Sequence, residues 1–213
     1  MRKRELAVAG AFEFSPDVFA DDRGLFTSPF QHDPFAESVG RPLFPVRQAS
    51  CSLSRKDVVR GVHFSRNPFG TAKYVYCPRG RALDVVVDIR PGSPTFGRWD
   101  SVVLDAESFR AVYLPVGVGH AFVALEDDTM MHYLLSRSYV AANELALHPL
   151  DPALALPIPE GITPVLSDRD TAAPTLAEAD EQGILPQYAD CLAIERKLYE
   201  ARHEARREAR HGA

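Results

Sequence analysis

A chain of 213 residues is long enough for one domain with a full hydrophobic core, or a domain plus a short appendage. Its 46% apolar and 25% charged residues are ordinary for a globular protein, and a net charge of -5 gives nucleic acid or an anionic membrane no general hold on it. Cys51, Cys77 and Cys191 are odd in number and lack CxxC spacing, which argues against a disulfide framework and for a reducing compartment. The N-terminal MRKRELAVAGAFEF is interrupted by Glu5 and Glu13, and no apolar run approaches the ~20 residues of a spanning helix. Cytoplasm is the expected location.

Residues 6 to about 150 read mainly as strands. A short helix is expected at Asp33–Val39, stopped by Gly40 and Pro42. Short apolar, β-branched runs then recur between turn residues: AKYVYC, RALDVVVDI, WDSVVL, RAVYLP, HAFVAL and MMHYLLS. Alternation puts Lys73, Val75 and Cys77 on one face. In the next run Leu83, Val85, Val87 and Ile89 share a face opposite Asp84, Val86 and Asp88. Strands this short, at intervals of about 8–12 residues, predict a sandwich or barrel. Asp84 and Asp88 read as strand-surface or turn-bonding carboxylates, and His132 and His148 as hydrogen-bonded structural residues.

Beyond Asp151, prolines at 152, 157, 159, 164, 174 and 186 argue against a strand core. Thr175–Gln182 is expected to be helical, ending at Gly183. Asp190–His211 is expected to form a charged helix whose apolar residues fade after Tyr199, with Glu195, Glu200, Glu204 and Glu208 interleaving its basic residues. The chain is therefore divided into a body, residues 1–186, and a charged helical extension, residues 187–213.

Two histidines stand out. His63 lies in VVRGVHFS, with Arg60 three residues before it and Lys73 ten after. Two cations beside a strand histidine on an inward barrel face would be costly to bury without an anionic ligand. His120 lies in LPVGVGHAFVAL, where the spacing of Pro115, Gly117 and His120 resembles the second motif of cupin barrels. A metal cupin would need HxH and a glutamate near His63, but position 65 is serine. A cupin-type jelly-roll barrel with short peripheral helices, without a metal or organic cofactor, is the fold expected.

The segments FADDRGLF (19–26), RGVHF (60–64), AKYVYCPRGRALDVVVDIRPGSPTFGRW (72–99), VYLPVGVGHAFVALEDD (112–128) and LSDRDTAAPTL (166–176) together resemble the dTDP-4-keto-6-deoxyhexose 3,5-epimerase family. VGVGHAFVALEDDT and LLSRSY resemble most its branch serving antibiotic deoxysugars such as dTDP-L-epivancosamine, which acts mainly at C5. The resemblance implies His63 as general base, Asp170 as the carboxylate orienting it, Lys73 beside the C4 carbonyl oxygen, and Tyr133 as proton donor from the other face. It also implies Arg23 and Arg60 on the diphosphate, Phe26, Gln48 and Tyr139 around the nucleoside, and His120 in the sugar pocket. Arg23 is implied to reach in from the partner of a strand-exchanged homodimer. Many family members carry glutamate, asparagine and glutamine where this chain has Ser28, Ser50 and Ser65, and lysine where it has Leu134; these departures leave the ring substituents of the substrate open.

Chemistry fits those roles. A C–H beside a ketone is a weak acid whose conjugate base is an enolate, and histidine is a base of suitable strength near neutral pH. The expected reaction is epimerisation of a dTDP-4-keto-6-deoxyhexose at C5, with C3 also open. The rivals are a 3-monoepimerase or 3,4-ketoisomerase, a non-catalytic sugar-nucleotide-binding cupin and a metal-dependent oxygenase.

Overall fold

In the computed structural model, which describes the backbone of residues 1–211 and the side chains of residues 1–200, almost every apolar run becomes a strand. The elements in chain order are β1 (Arg2–Glu5), β2 (Phe12–Ser15), β3 (Val18–Asp21), β4 (Gly24–Thr27), α1 (His32–Val39), β5 (Gln48–Ser54), β6 (Val59–Ser65), β7 (Lys73–Arg79) and β8 (Arg81–Val87). They continue with β9 (Trp99–Asp105), β10 (Ala111–Leu114), β11 (Gly119–Ala124), β12 (Thr129–Leu135), β13 (Glu144–Ala146), α2 (Asp168–Thr171), α3 (Leu176–Glu181) and α4 (Tyr188–His211).

Two antiparallel sheets face each other, one ordered β1-β2-β10-β7-β12-β5 and the other β13-β6-β11-β8-β9. From β5 to β13, strands consecutive in sequence alternate between the sheets except for the β8–β9 hairpin, which is the jelly-roll way of closing a sandwich. Val75, Cys77, Val86, Leu104, Val112, Phe122 and Met131 meet between the sheets and fill one end of the interior. The other end is left to polar side chains. Hairpin β3–β4 stands apart as a two-stranded sheet, with Phe19 and Phe26 exposed.

Both outer faces are covered as well, which explains strands apolar on both sides. Over the six-stranded sheet, Phe35 of α1 and Phe44 pack on Phe14, Tyr74 and Tyr113; the Phe14 and Phe35 rings lie 5.3 Å apart. Over the five-stranded sheet, Val62, Phe64, Val85 and Val87 are capped by Leu147, Leu154, Ala179 and Leu185. The proline-rich stretch is thus a lid on a sheet, held locally by α3. There Thr175 and Glu178 form a reciprocal capping box, with Glu178 Oε2 accepting the Thr175 N–H at 2.8 Å. Helix α1 ends at Gly40, as expected, with a φ of 75° that supplies a left-handed C-cap.

The expected extension begins as a packed element. On the first turns of α4, Cys191, Ile194 and Glu195 are buried against the six-stranded sheet. Glu195 accepts the Val116 N–H at 2.9 Å through Oε1 and pairs with Arg41 at 2.5 Å through Oε2. Arg41 in turn lies over the Tyr199 ring, 4.6 Å from its centroid. The side chains of residues 201–213, where the sequence places the charged end of this helix, lie outside the described residues.

Glu195→Ala removes the acceptor of the Val116 N–H and the carboxylate paired with Arg41. Arg41 keeps partial access to water, so the cost is expected to be about 2 kcal/mol, or a melting temperature lower by roughly 4–8 °C in thermal denaturation. An unchanged melting temperature would mean that the helix docks through apolar contacts alone.

Asp88 is the turn-bonding carboxylate expected, whereas Asp84 departs from the expectation. Asp88 is buried and accepts from Arg90 Nε at 2.8 Å and from the Ser93 hydroxyl at 2.6 Å, so it holds the turn at residues 88–98. Asp84 points between the sheets and bonds His120. Its parity with Ala82 and Val86, both in the interior cluster, places it there. His148 is hydrogen-bonded as expected, its Nδ1 accepting the Leu150 N–H at 3.1 Å, whereas His132 packs against the Tyr76 ring at 4.9 Å. Among the described residues no helix is long and apolar enough to cross a membrane.

Candidate active site

The polar end of the barrel interior is a cavity of about 240 Å³. Its walls come from both sheets. His63 on β6 and His120 on β11 face in from the five-stranded sheet; Lys73 on β7, Tyr133 on β12 and Ser52 on β5 face in from the six-stranded sheet.

Gly61 sets the approach on the histidine side. Strands β6 and β11 pair His63 with His120, and their register shifts just beyond, between His120 and Phe122. Gly61 sits at that irregularity with φ of 115°, and a Cβ there would fall 2.4 Å from the His120 carbonyl oxygen. Only glycine accommodates both the φ and the closeness. The RGVH sequence therefore brings the two imidazoles side by side.

Asp170 stands behind His63. The segment before it is fastened to the start of β6, with Val59 N–H donating to the Val165 carbonyl at 3.0 Å. Ser167 caps the short helix α2 and accepts the Asp170 N–H at 3.1 Å, which fixes that backbone. Asp170 Oδ1 then lies 2.7 Å from His63 Nε2. Burial would raise the pKa of this carboxyl, but the hydrogen bond and charge of His63, with Ser167 and the Gly61 backbone, hold it below the usual range. An ionised Asp170 can only accept, so Nε2 carries the hydrogen and Nδ1 is left with a free lone pair.

A second His–Asp pair lies deeper. His120 Nε2 is 2.6 Å from Asp84 Oδ2, both groups are buried, and the His120 ring is 6.1 Å from the Tyr133 ring. Asp84 Oδ1 has no hydrogen-bond partner among the described residues. Burial lowers the Lys73 pKa below that of an ordinary lysine, while Glu144 and Asp84 act the other way. Glu144, which accepts from the Ser65 hydroxyl at 2.7 Å, lines the same cavity. Burial likewise raises the Tyr133 pKa, against the Ser52 hydrogen bond and the charge of Arg60. The phenol is therefore held in its proton-bearing form.

Of the ten residues singled out in the sequence, His63, Lys73, Tyr133, Arg60, His120 and Tyr139 line this one cavity. Asp170 supports it from behind. Gln48 borders it, its Oε1 accepting the Tyr139 N–H at 2.8 Å and its Nε2 donating to Ser50 at 2.8 Å. Arg23 and Phe26 do not join them within one chain. They sit on the β3–β4 hairpin, 89% exposed at the Arg23 side chain and 70% at Phe26, with Arg23 paired to Asp21. Sequence reasoning missed Ser52, Asp84, Glu144 and Arg169. Parity along β5 and β8 could have found the first two, and adjacency to Asp170 the last; nothing in the sequence marks Glu144. Among the described residues no group of three or more His, Cys, Asp or Glu side chains converges as a metal ion would require.

An imidazole, an ammonium group and a phenol line one cavity inside a jelly roll of the cupin type, an arrangement suited to acid–base chemistry. The chain belongs to the dTDP-4-dehydrorhamnose 3,5-epimerase family, whose model matches residues 5–178. It is 50% identical over 195 residues to the dTDP-4-dehydrorhamnose 3,5-epimerase of Mycolicibacterium smegmatis, covering 91% of this chain and 95% of that one. Its structure is similar to NovW, a 4-keto-6-deoxy sugar epimerase from the novobiocin gene cluster of Streptomyces spheroides, with a TM-score of 0.86, 51% identity, and 90% and 95% of the chains covered. It is also similar to ChmJ, a 3'-monoepimerase of Streptomyces bikiniensis solved with dTDP-quinovose, with a TM-score of 0.82, 43% identity, and 94% and 96% covered.

Proposed function

We propose that this protein epimerises a dTDP-linked 4-keto-6-deoxyhexose at C5, with C3 open as a second position, through an enolate, in the making of deoxysugars. The observation that carries the reading is that His63 and Tyr133 enter the same cavity from opposing sheets, and that Lys73 lines it too. Inversion requires a proton to leave one face of the ring and another to arrive on the opposite face. A base and an acid on facing sheets supply both.

In this reading His63 Nδ1 takes the proton beside the ketone, and Asp170 stabilises the imidazolium that forms. The Lys73 ammonium holds the developing enolate oxygen, with the His120–Asp84 pair at its side. Tyr133 returns a proton to carbon. Arg60 and Arg169, at the cavity rim, suit a diphosphate because a guanidinium can bond two oxygens at once.

A homodimer completes the proposal. The apolar exposure of Phe19, Leu25 and Phe26 on a hairpin detached from its own barrel suits insertion into a second copy, carrying Arg23 and Phe26 to that copy's nucleotide. Residues 1–186 would form the catalytic body and 187–213 the charged helical extension. Three free cysteines favour the cytoplasm.

The test is incubation with dTDP-4-keto-6-deoxy-D-glucose in D2O, followed by NMR at C3 and C5. Label and inversion at C5 are expected; absence of label at both carbons refutes the proposal. Inversion confined to C3 would select the second reading, which the similarity to the 3'-monoepimerase ChmJ favours. Tyr133→Phe is expected to lower inversion about 10²-fold while proton exchange at the same carbon persists, because abstraction by His63 does not need the phenol. Equal loss of exchange and inversion would take the donor role from Tyr133.

A further inference from the structure

Strand β5 reads QASCSLS, and its alternation divides it sharply. Ala49, Cys51 and Leu53 are exposed on one face, while Gln48, Ser50, Ser52 and Ser54 turn toward the barrel interior. Every serine on that inner face is tied to a side chain of the site. Ser50 Oγ accepts from Gln48 Nε2 at 2.8 Å, Ser54 Oγ accepts from Arg60 Nε at 3.1 Å, and Ser52 Oγ lies 3.2 Å from Tyr133 Oη. The strand is a row of inward hydroxyls, of which Ser50 and Ser52 line the cavity. Its middle member is the hydrogen-bond partner that the structure gives the Tyr133 hydroxyl among the described residues.

We propose that Ser52 is the positioning residue of the proton donor: its hydroxyl aims the Tyr133 phenol across the cavity and then donates to the phenolate left after proton transfer. The inference rests on the epimerase reading above. When the enolate carbon takes the proton, the Tyr133 O–H bond breaks, a C–H bond forms, and the negative charge passes from enolate to phenolate. A buried phenolate with no donor is costly. A serine hydroxyl can rotate from acceptor to donor without moving a heavy atom, which suits an oxygen that changes from phenol to phenolate within one turnover. Water entering past the exposed Arg60 and Tyr139 then restores the phenol, and the imidazolium of His63 gives its proton back to water, so no proton is consumed overall.

The experiment compares wild type, Ser52→Ala, Ser52→Thr, Tyr133→Phe and the double variant Ser52→Ala/Tyr133→Phe, with dTDP-4-keto-6-deoxy-D-glucose in D2O. Exchange with retention reports abstraction; exchange with inversion reports delivery from the opposite face. Ser52→Ala is expected to lower inversion about tenfold to thirtyfold while exchange stays within about twofold, and Ser52→Thr to restore inversion to within about threefold. In the Tyr133→Phe background, Ser52→Ala is expected to change inversion by less than about twofold, because its effect runs through the phenol. Unchanged inversion in Ser52→Ala, a parallel fall in exchange and inversion, or a full further loss in the Tyr133→Phe background would each overturn the proposal. A wild type with neither exchange nor inversion would instead overturn the epimerase reading itself.

Discussion

His63→Asn is expected to lower proton exchange at the carbon beside the ketone by about 10³–10⁴-fold, and inversion with it. Asparagine is polar but has no basic lone pair, and its amide ends about where Nδ1 does, so the fold can survive while the base and the contact made through Nε2 to Asp170 are both lost. Positioned general-base catalysis contributes ~10²–10⁴-fold, and the stabilisation that Asp170 gives the charged imidazole is lost with it. The loss must appear in exchange as well as inversion, which separates it from the loss expected in Tyr133→Phe. Asp170→Asn is expected to be milder, roughly 10–10²-fold, because an amide can hold the ring but cannot stabilise its charged form. NMR in D2O measures both rates; exchange within tenfold of wild type in His63→Asn would remove His63 from its role. The same pair ties stability to acid. Asp170 is held below its unfolded value of ~3.9, so its contribution is complete above that pH and fades as pH falls through the lower folded value.

The strands were legible because their signal is local. AKYVYC and RALDVVV carry β-branched and aromatic residues between turn residues, and they fold as β7 and β8. What parity could not say was which face looks inward. Val85 and Val87 are as apolar as Ala82 and Val86 because the segment at 147–185 covers the outer face, so the usual contrast between wet and dry sides is erased. The prolines after Asp151 excluded a strand there, but exclusion does not say what a segment covers. Asp84 was misread for the same reason: a carboxylate among valines suggests solvent unless its partner is known, and His120 lies 36 residues away. His63 and Asp170 are separated by 107 residues, and only resemblance joined them before the coordinates did. Ser52 carried a faint local signal, an alternating run of serines, which gains meaning only once β12 is laid beside β5. Arg23 and Phe26 mark a different limit, since nothing within one chain brings their hairpin to the cavity.

Lys73→Met is expected to lower exchange about 10²–10³-fold, the loss of one strong donor to the enolate oxygen, worth ~3–4 kcal/mol. Methionine matches the length of the aliphatic stem, so packing beside Leu135, its register partner on β12, is largely kept. The ammonium also dictates how the enzyme fails in alkali. Burial puts the Lys73 pKa below 10.5, and activity should fall as pH rises through it, because the neutral amine no longer neutralises the enolate. Tyr133 moves in the opposite direction, above 10, so the first alkaline limb belongs to the lysine. Glu144 works against that loss by favouring the charged amine. Glu144→Gln is therefore expected to move the limb to lower pH, while Lys73→Met removes it from the residual activity. The measurement is the rate of deuterium exchange from about pH 6 to 10, which follows abstraction and does not read the protonation of Tyr133. A limb that stays in place in Glu144→Gln would mean that Asp84, with its unpartnered oxygen, is the counter-charge that matters, and an Asp84→Asn variant would then carry the shift.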